Sequence, residues 1–168
     1  MKPTERVALL IDGSNFHHAL KGLQIQPDFR KLRKYVETNG HLIRAYYYTA
    51  VKEDSEYSSI RPLLDWLSYN VYQLITKPTK EFTDGEGVRR TKGNMDIEIA
   101  VDALEIANHL DRIVLFSGDG DFKRLVEALQ KKGILVTVVS TSSMMADELR
   151  RQADAFIDIK DISSQIQK

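Results

Sequence analysis

The sequence contains no cysteine. That excludes thiol catalysis, zinc-thiolate sites and iron–sulfur clusters, and it removes disulfides as a source of stability. At 168 residues none are needed. Residues 1–168 read as one domain with its core over about 6–160, and a chain of this length buries about 68–70% of its unfolded surface. Freedom from cysteine fits a reducing cytoplasm, which is the location expected. There is no long hydrophobic run either. The N-terminal MKPTERVALLIDG holds an apolar stretch too short for a signal peptide or a membrane span, so no membrane partner is expected. Net charge is also missing, because 24 Lys and Arg face 24 Asp and Glu. A polyanionic partner must therefore be met by a local patch, not by the field of the whole protein. No internal repeat, low-complexity segment or heptad run is present. The turn after the first apolar run reads DGSN, which is not a glycine-rich dinucleotide fingerprint.

What is present centres on Ile113 to Phe122, IVLFSGDGDF. The unbroken apolar run Ile113-Val114-Leu115-Phe116 suits a strand buried on both faces of a parallel sheet. Gly118 and Gly120 then permit a tight turn. Phe122, Leu125, Val126 and Leu129 follow at helical spacing. Asp119 and Asp121 thus sit where a strand ends and a helix begins, the edge at which open α/β sheets bind ligands.

The rest of the chain alternates in the same way. Arg6 to Ile11 reads as a strand ending at Asp12-Gly13-Ser14-Asn15, with Ser14 or Asn15 placed to cap the next helix through Phe16, Ala19 and Leu20, and Gly22 to end it. A second helical piece starts at Pro27-Asp28. Leu42 to Ala50 is a strand, and Glu53 to Asn70 a helix containing Pro62. Val71 to Thr76 is a further strand. Residues 77–92 read as a loop or loose hairpin of local charge +2. Asn94 to Leu110 is helical, with Ile97, Val101 and Leu104 on one side. Ile134 to Ser140 is a strand, Met145 to Gln152 a short helix, and Ala155 to Ile159 an edge strand before a frayed polar end. The fold class is α/β: a mostly parallel central sheet with helices on both faces, linked by right-handed crossovers.

If the first strand and the Ile113 strand are neighbours, Asp12, Asp96, Asp119 and Asp121 converge on one crevice. Carboxylates so close cannot all stay ionised unless a cation joins them. Hard oxygen ligands select Mg²⁺ or Mn²⁺. A metal held that way activates water and neutralises charge building on a phosphodiester.

Three motifs carry a family resemblance. IDGSN (Ile11 to Asn15), KGNMD (Lys92 to Asp96) with Asp102 beyond it, and SGDGDF (Ser117 to Phe122) resemble the NYN domains of the LabA-like branch, formerly called DUF88. These belong to the PIN-like nucleases, and the likeness runs from about Val7 to Ile159. The resemblance implies a three-layer Rossmann-like, PIN-like fold and metal-dependent cleavage of RNA, single-stranded RNA being the expected partner. It implies metal-binding, catalytic carboxylates at Asp12, Asp96, Asp119 and Asp121. Asn15 and Ser117 would support that site by hydrogen bonds, and Lys92 would meet a phosphate. Asp102 completes the family pattern as a supporting residue. The cofactor expected is Mg²⁺ or Mn²⁺, and the reading leaves a homo-oligomer open.

Blander roles compete at each position. Asp119 and Asp121 suit a helix cap, and Asp96 a first-turn charge beside an Asn94 cap. Asp102 shares a helix face with Glu98, Glu105 and His109, a pattern typical of a solvated face. Asn15 suits a cap, and Lys92 a solvated loop. His17 and His18 point about 100° apart on a helix, which favours surface or packing roles over a metal site. Tyr46, Tyr47 and Tyr48 suit core packing better than base stacking. Arg89 and Arg90 are candidates for phosphate contact because their segment is one of two local concentrations of basic charge. Two other functions are weighed. A haloacid-dehalogenase-type phosphatase would use Asp12 as nucleophile, but it needs an acid where Ser14 stands. A non-cleaving RNA- or protein-binding module of PIN-like fold would have no use for the intact set of acids.

Overall fold

The structure, a computed structural model, describes residues 1–2, 4–52 and 55–168, apart from the side chains of 55–58 and 90–92. The chain opens with strand β1 (Arg6–Asp12), helix α1 (Gly13–Leu23), helix α2 (Phe29–Asn39), strand β2 (His41–Val51), helix α3 (Ser55–Tyr69) and strand β3 (Tyr72–Pro78). A hairpin of β4 (Lys80–Thr83) and β5 (Arg89–Lys92) follows. Then come α4 (Asp96–Ile106), β6 (Arg112–Phe116), α5 (Lys123–Lys131), β7 (Leu135–Ser140), α6 (Asp147–Gln152), β8 (Ala155–Asp158) and α7 (Ile159–Ile166).

Six strands form one sheet in the order β3-β2-β1-β6-β7-β8, and every neighbouring pair is parallel. The chain steps outward from β1 to β3, then returns to the other side of β1 with β6. The strand order therefore reverses between β1 and β6, where a crevice opens beyond their carboxyl ends. β1 is buried from Val7 onward. Its alternation divides the core: Val7, Leu9 and Ile11 pack with α1, α2 and α7, while Ala8 and Leu10 pack with α4, α5 and α6. Tyr46 and Tyr48 join the second core and Tyr47 the first.

Several local expectations are corrected. Neither Ser14 nor Asn15 caps α1. Asp12 does, its carboxylate accepting from the Asn15 N–H at 3.4 Å, because the helix already begins at Gly13. A side chain at Gly13 would meet the Tyr48 carbonyl at 2.6 Å, so only glycine lets the chain turn this close to β2. The helix runs past Gly22 and stops at Gln24, in the left-handed conformation at φ 56. Within residues 77–92 the hairpin reading holds from Lys80 to Lys92, whereas Lys77 and Pro78 still belong to β3. The hairpin turn is held by Asp84, whose carboxylate accepts from the Glu86 and Val88 N–H groups, as Asp does in tight turns.

Helix α4 presents a different face to the sheet from the one its spacing suggests. Ile99 and Ala103 are buried, whereas Ile97 is 72% exposed and Val101 and Leu104 stand partly in solvent. The helix is apolar on two sides, and the side with the small Ala103 is the one that approaches the sheet. The C-terminal segment is not frayed. Asp158 caps α7 by accepting from the Lys160 N–H at 2.9 Å, and Ile159, Ile162 and Ile166 are buried.

Candidate metal centre

Parallel pairing of β1 with β6 brings two chain turns side by side. Asp12 ends β1, and Ser117-Gly118-Asp119 follows β6 directly. Asp12 is only 8% exposed. Its Oδ2 accepts from Ser117 Oγ at 3.1 Å, and the same Ser117 Oγ accepts from the Asp119 N–H at 3.2 Å. Asn15 Oδ1 accepts from the Gly118 N–H at 3.1 Å. The two turns are thus bound to each other by the residues of both motifs. Gly118 is required by close approach, since a Cβ there would collide with the Met144 backbone.

Asp119 caps the short 3-10 turn Gly120–Phe122 by accepting from the Asp121 N–H at 2.9 Å. The cap holds both carboxylates in place, so the bland role and the functional one coexist. Asp96 arrives from the first turn of α4, its N–H directed at Asn94 Oδ1 at 3.4 Å. One carboxylate oxygen from each of Asp96, Asp119 and Asp121 lies within 4.8 Å of the other two. Asp12 is not in this trio. It lines the same crevice as Asp96 and Asp119, largely buried and tied to Ser117.

The electrostatics follow from this crowding. Asp96 is pushed up to about 6, first by burial, then by the negative charges of Asp119, Asp12 and Asp121, with Lys77 opposing. Burial raises Asp12 as well; its bonds from Asn15 and Ser117 oppose the rise and Asp119 adds to it. A cluster that resists ionising by itself is a fitting receptor for a cation. Three hard oxygen donors at this spacing suit a divalent ion such as Mg²⁺ or Mn²⁺.

The centre opens into a crevice of about 630 Å³ lined by Asp12, Asn15, Asp96 and Asp119, with His18 and Tyr48 on its walls. Thr49, Ala50 and Lys52, at the carboxyl end of β2, also line it, and nothing in their sequence marked them. His18 is exposed, in keeping with a surface role, and the surface it belongs to is the crevice wall. It lies one helical turn beyond Ser14 and Asn15 and faces the crevice with them, which a helix-face reading of DGSNFHH could have shown. Asp102 is not on a solvated face. It is half-buried and accepts from the Tyr48 hydroxyl at 2.9 Å. Arg89 is exposed and pairs with Glu81 at 3.1 Å, away from the crevice wall. The side chains of Arg90 and Lys92 lie outside the described residues; their backbone belongs to β5.

The NYN domain family matches residues 6–160. Over 167 residues the chain is 40% identical to the low amplitude and bright protein LabA of Synechococcus elongatus, covering 97% of this chain and 88% of that protein. A crystal structure of a Vibrio parahaemolyticus protein of unknown function superposes with TM-score 0.76 at 27% identity, over 95% of each chain.

Proposed function

The chain belongs to the NYN-domain family, and on that premise we propose that it is a Mg²⁺- or Mn²⁺-dependent ribonuclease acting on single-stranded RNA in the cytoplasm. The observation that carries this reading is the Asp96–Asp119–Asp121 trio at the mouth of the β1/β6 crevice. These three carboxylates would hold the cation, and Asp12 would complete its negative surround. A divalent cation bound there would lower the pKa of water and neutralise charge on the phosphate.

The protein's own groups do the positioning. Ser117 fixes Asp12 and the Asp119 backbone together. Asn15 fixes the Gly118 turn. The Lys77–Glu98 pair at 2.9 Å brings to Asp96 a positive charge that opposes the rise of its pKa. The hairpin that carries Arg89, Arg90 and Lys92 adjoins the crevice at Thr79 and Gly93, and its basic residues would meet phosphates farther along the RNA. The phosphatase alternative gains nothing from the geometry: the two Asp12 oxygens accept from Ser117 Oγ and the Asn15 N–H, and Ser14 stands where that chemistry needs a second acid.

The test is cleavage of labelled single-stranded RNA with Mn²⁺ or Mg²⁺, stopped by EDTA. Asp119→Asn should abolish cutting while the fold persists, since asparagine also caps well. Full activity in that variant, or hydrolysis of a small phosphomonoester without action on RNA, overturns the reading. RNA binding without cleavage in the wild type identifies a binding module instead.

A further inference from the structure

Phosphodiester hydrolysis needs a proton for the departing ribose oxygen, which otherwise leaves as a poor alkoxide. Among the described residues, the crevice walls hold few groups able to give one: the carboxylates, the Tyr48 hydroxyl, the Lys52 ammonium and the His18 imidazole. Carboxylates gathered around a cation are ionised and accept protons. Tyr48 already donates its proton to Asp102, and burial with that bond pushes its pKa up. The Lys52 ammonium is suited to holding a phosphate as a point charge. An imidazole is the side chain that most often serves as a positioned general acid.

The hydrogen bonding of His18 decides which nitrogen is available. Nδ1 lies 2.8 Å from the Ser14 carbonyl. A carbonyl only accepts, so Nδ1 keeps its hydrogen and Nε2 is the nitrogen that gains and loses a proton. Ser14 and Asn15 lie four and three residues before His18, on one helix face. Asn15 in turn grips the turn that carries Asp119. The imidazole is thus oriented from its own helix, on the wall that also positions the carboxylates.

We propose that His18 is the general acid of the reaction, donating the Nε2 proton to the leaving ribose oxygen. This rests on the nuclease reading. In the step, the oxygen of an attacking water bonds to phosphorus as the P–O bond to ribose breaks. The electron pair of the broken bond stays on the ribose oxygen, which takes the Nε2 proton. The proton lost by water goes to solvent, and the neutral imidazole is reprotonated from solvent.

The experiment compares leaving groups in His18→Gln and His18→Asn, both exposed-site changes whose melting temperatures should match wild type. The substrates are single-stranded RNA, with a poor alkoxide leaving group, and bis(p-nitrophenyl) phosphate, whose phenolate needs no proton. Both are assayed with Mn²⁺, and RNA affinity is measured separately in Ca²⁺. RNA cleavage should fall about 10²–10⁴-fold, the usual worth of a general acid, with RNA affinity unchanged and the aryl diester far less affected. Equal losses on both substrates overturn the proposal, because the residue then acts through the scaffold. Loss of RNA affinity in proportion to rate overturns it in favour of a phosphate contact, and unchanged RNA cleavage overturns it outright. Failure of the wild type on both diesters is a separate result: it removes the nuclease reading and this role with it.

Discussion

Ser117 Oγ donates to Asp12 Oδ2 at 3.1 Å, joining the end of β6 to the end of β1 at the point where the strand order reverses. The hydroxyl also receives the Asp119 N–H, so one small side chain sets the spacing between buried Asp12 and a member of the carboxylate trio. Ser117→Ala should cost about 1.5–3 kcal/mol, the range for a hydrogen bond to a charged group. Denaturant unfolding measures that loss, and calorimetric titration should show weaker Mn²⁺ binding. Unchanged stability and affinity would remove Ser117 from the site.

Asp96 makes stability pH-dependent in metal-free buffer. Its folded pKa is raised to about 6 from an ordinary 3.8, so the folded state keeps a proton that the unfolded chain releases between those values. Stability therefore falls as pH rises through that window and stays low above it. Asp96→Asn should flatten this dependence and melt at or above wild type near neutral pH in EDTA. A variant that melts below wild type there contradicts the crowded cluster.

Added cation should reverse the strain. Saturating Mn²⁺ at about 100 times its Kd should stabilise the wild type by about 2.7 kcal/mol through linkage. Asp119→Asn and Asp121→Asn should each gain less at the same concentration. Equal thermal shifts in all three proteins would place the cation elsewhere.

Asp102 accepts from the Tyr48 hydroxyl and is not one of the trio Asp96, Asp119 and Asp121. Asp102→Ala strands the Tyr48 hydroxyl and should cost about 1–3 kcal/mol, while Mn²⁺ affinity holds. Tyr48→Phe together with Asp102→Ala should recover part of that stability, because no polar atom is then left unpaired. A tenfold fall in metal affinity in the single variant would instead put Asp102 in the coordination sphere, that factor being about 1.4 kcal/mol.

The hairpin is testable by salt. Arg89→Ala with Arg90→Ala should weaken RNA binding and lower the slope of log affinity against log salt by about 1–2, as expected for one or two lost phosphate contacts. An unchanged slope assigns these residues to the solvated surface, where Arg89 already has Glu81 as partner.

By itself the sequence determined the parallel α/β plan and the positions of the four acids. An apolar run that stops at Asp12, and another that stops at Ser117-Gly118-Asp119, each state locally that a buried strand ends in polar groups, because period and composition are properties of neighbouring residues. Tertiary structure decided how those ends meet. The pairing of β1 with β6 puts Asp12 beside Ser117, and the placement of α4 brings Asp96 to Asp119 and Asp121, since distance between carboxylates depends on strand order and not on spacing along the chain. The same holds for α4, whose two apolar sides are equivalent in sequence until Ala103 approaches the sheet and Ile97 is left outside. It holds for the chain end, where Ile159, Ile162 and Ile166 sit among polar residues and become a helix face only because α2 and the sheet offer a surface to cover. Asp102 and Tyr48 are 54 residues apart, and no periodicity reaches that far; their bond exists because β2 and α4 pack across one face of the sheet.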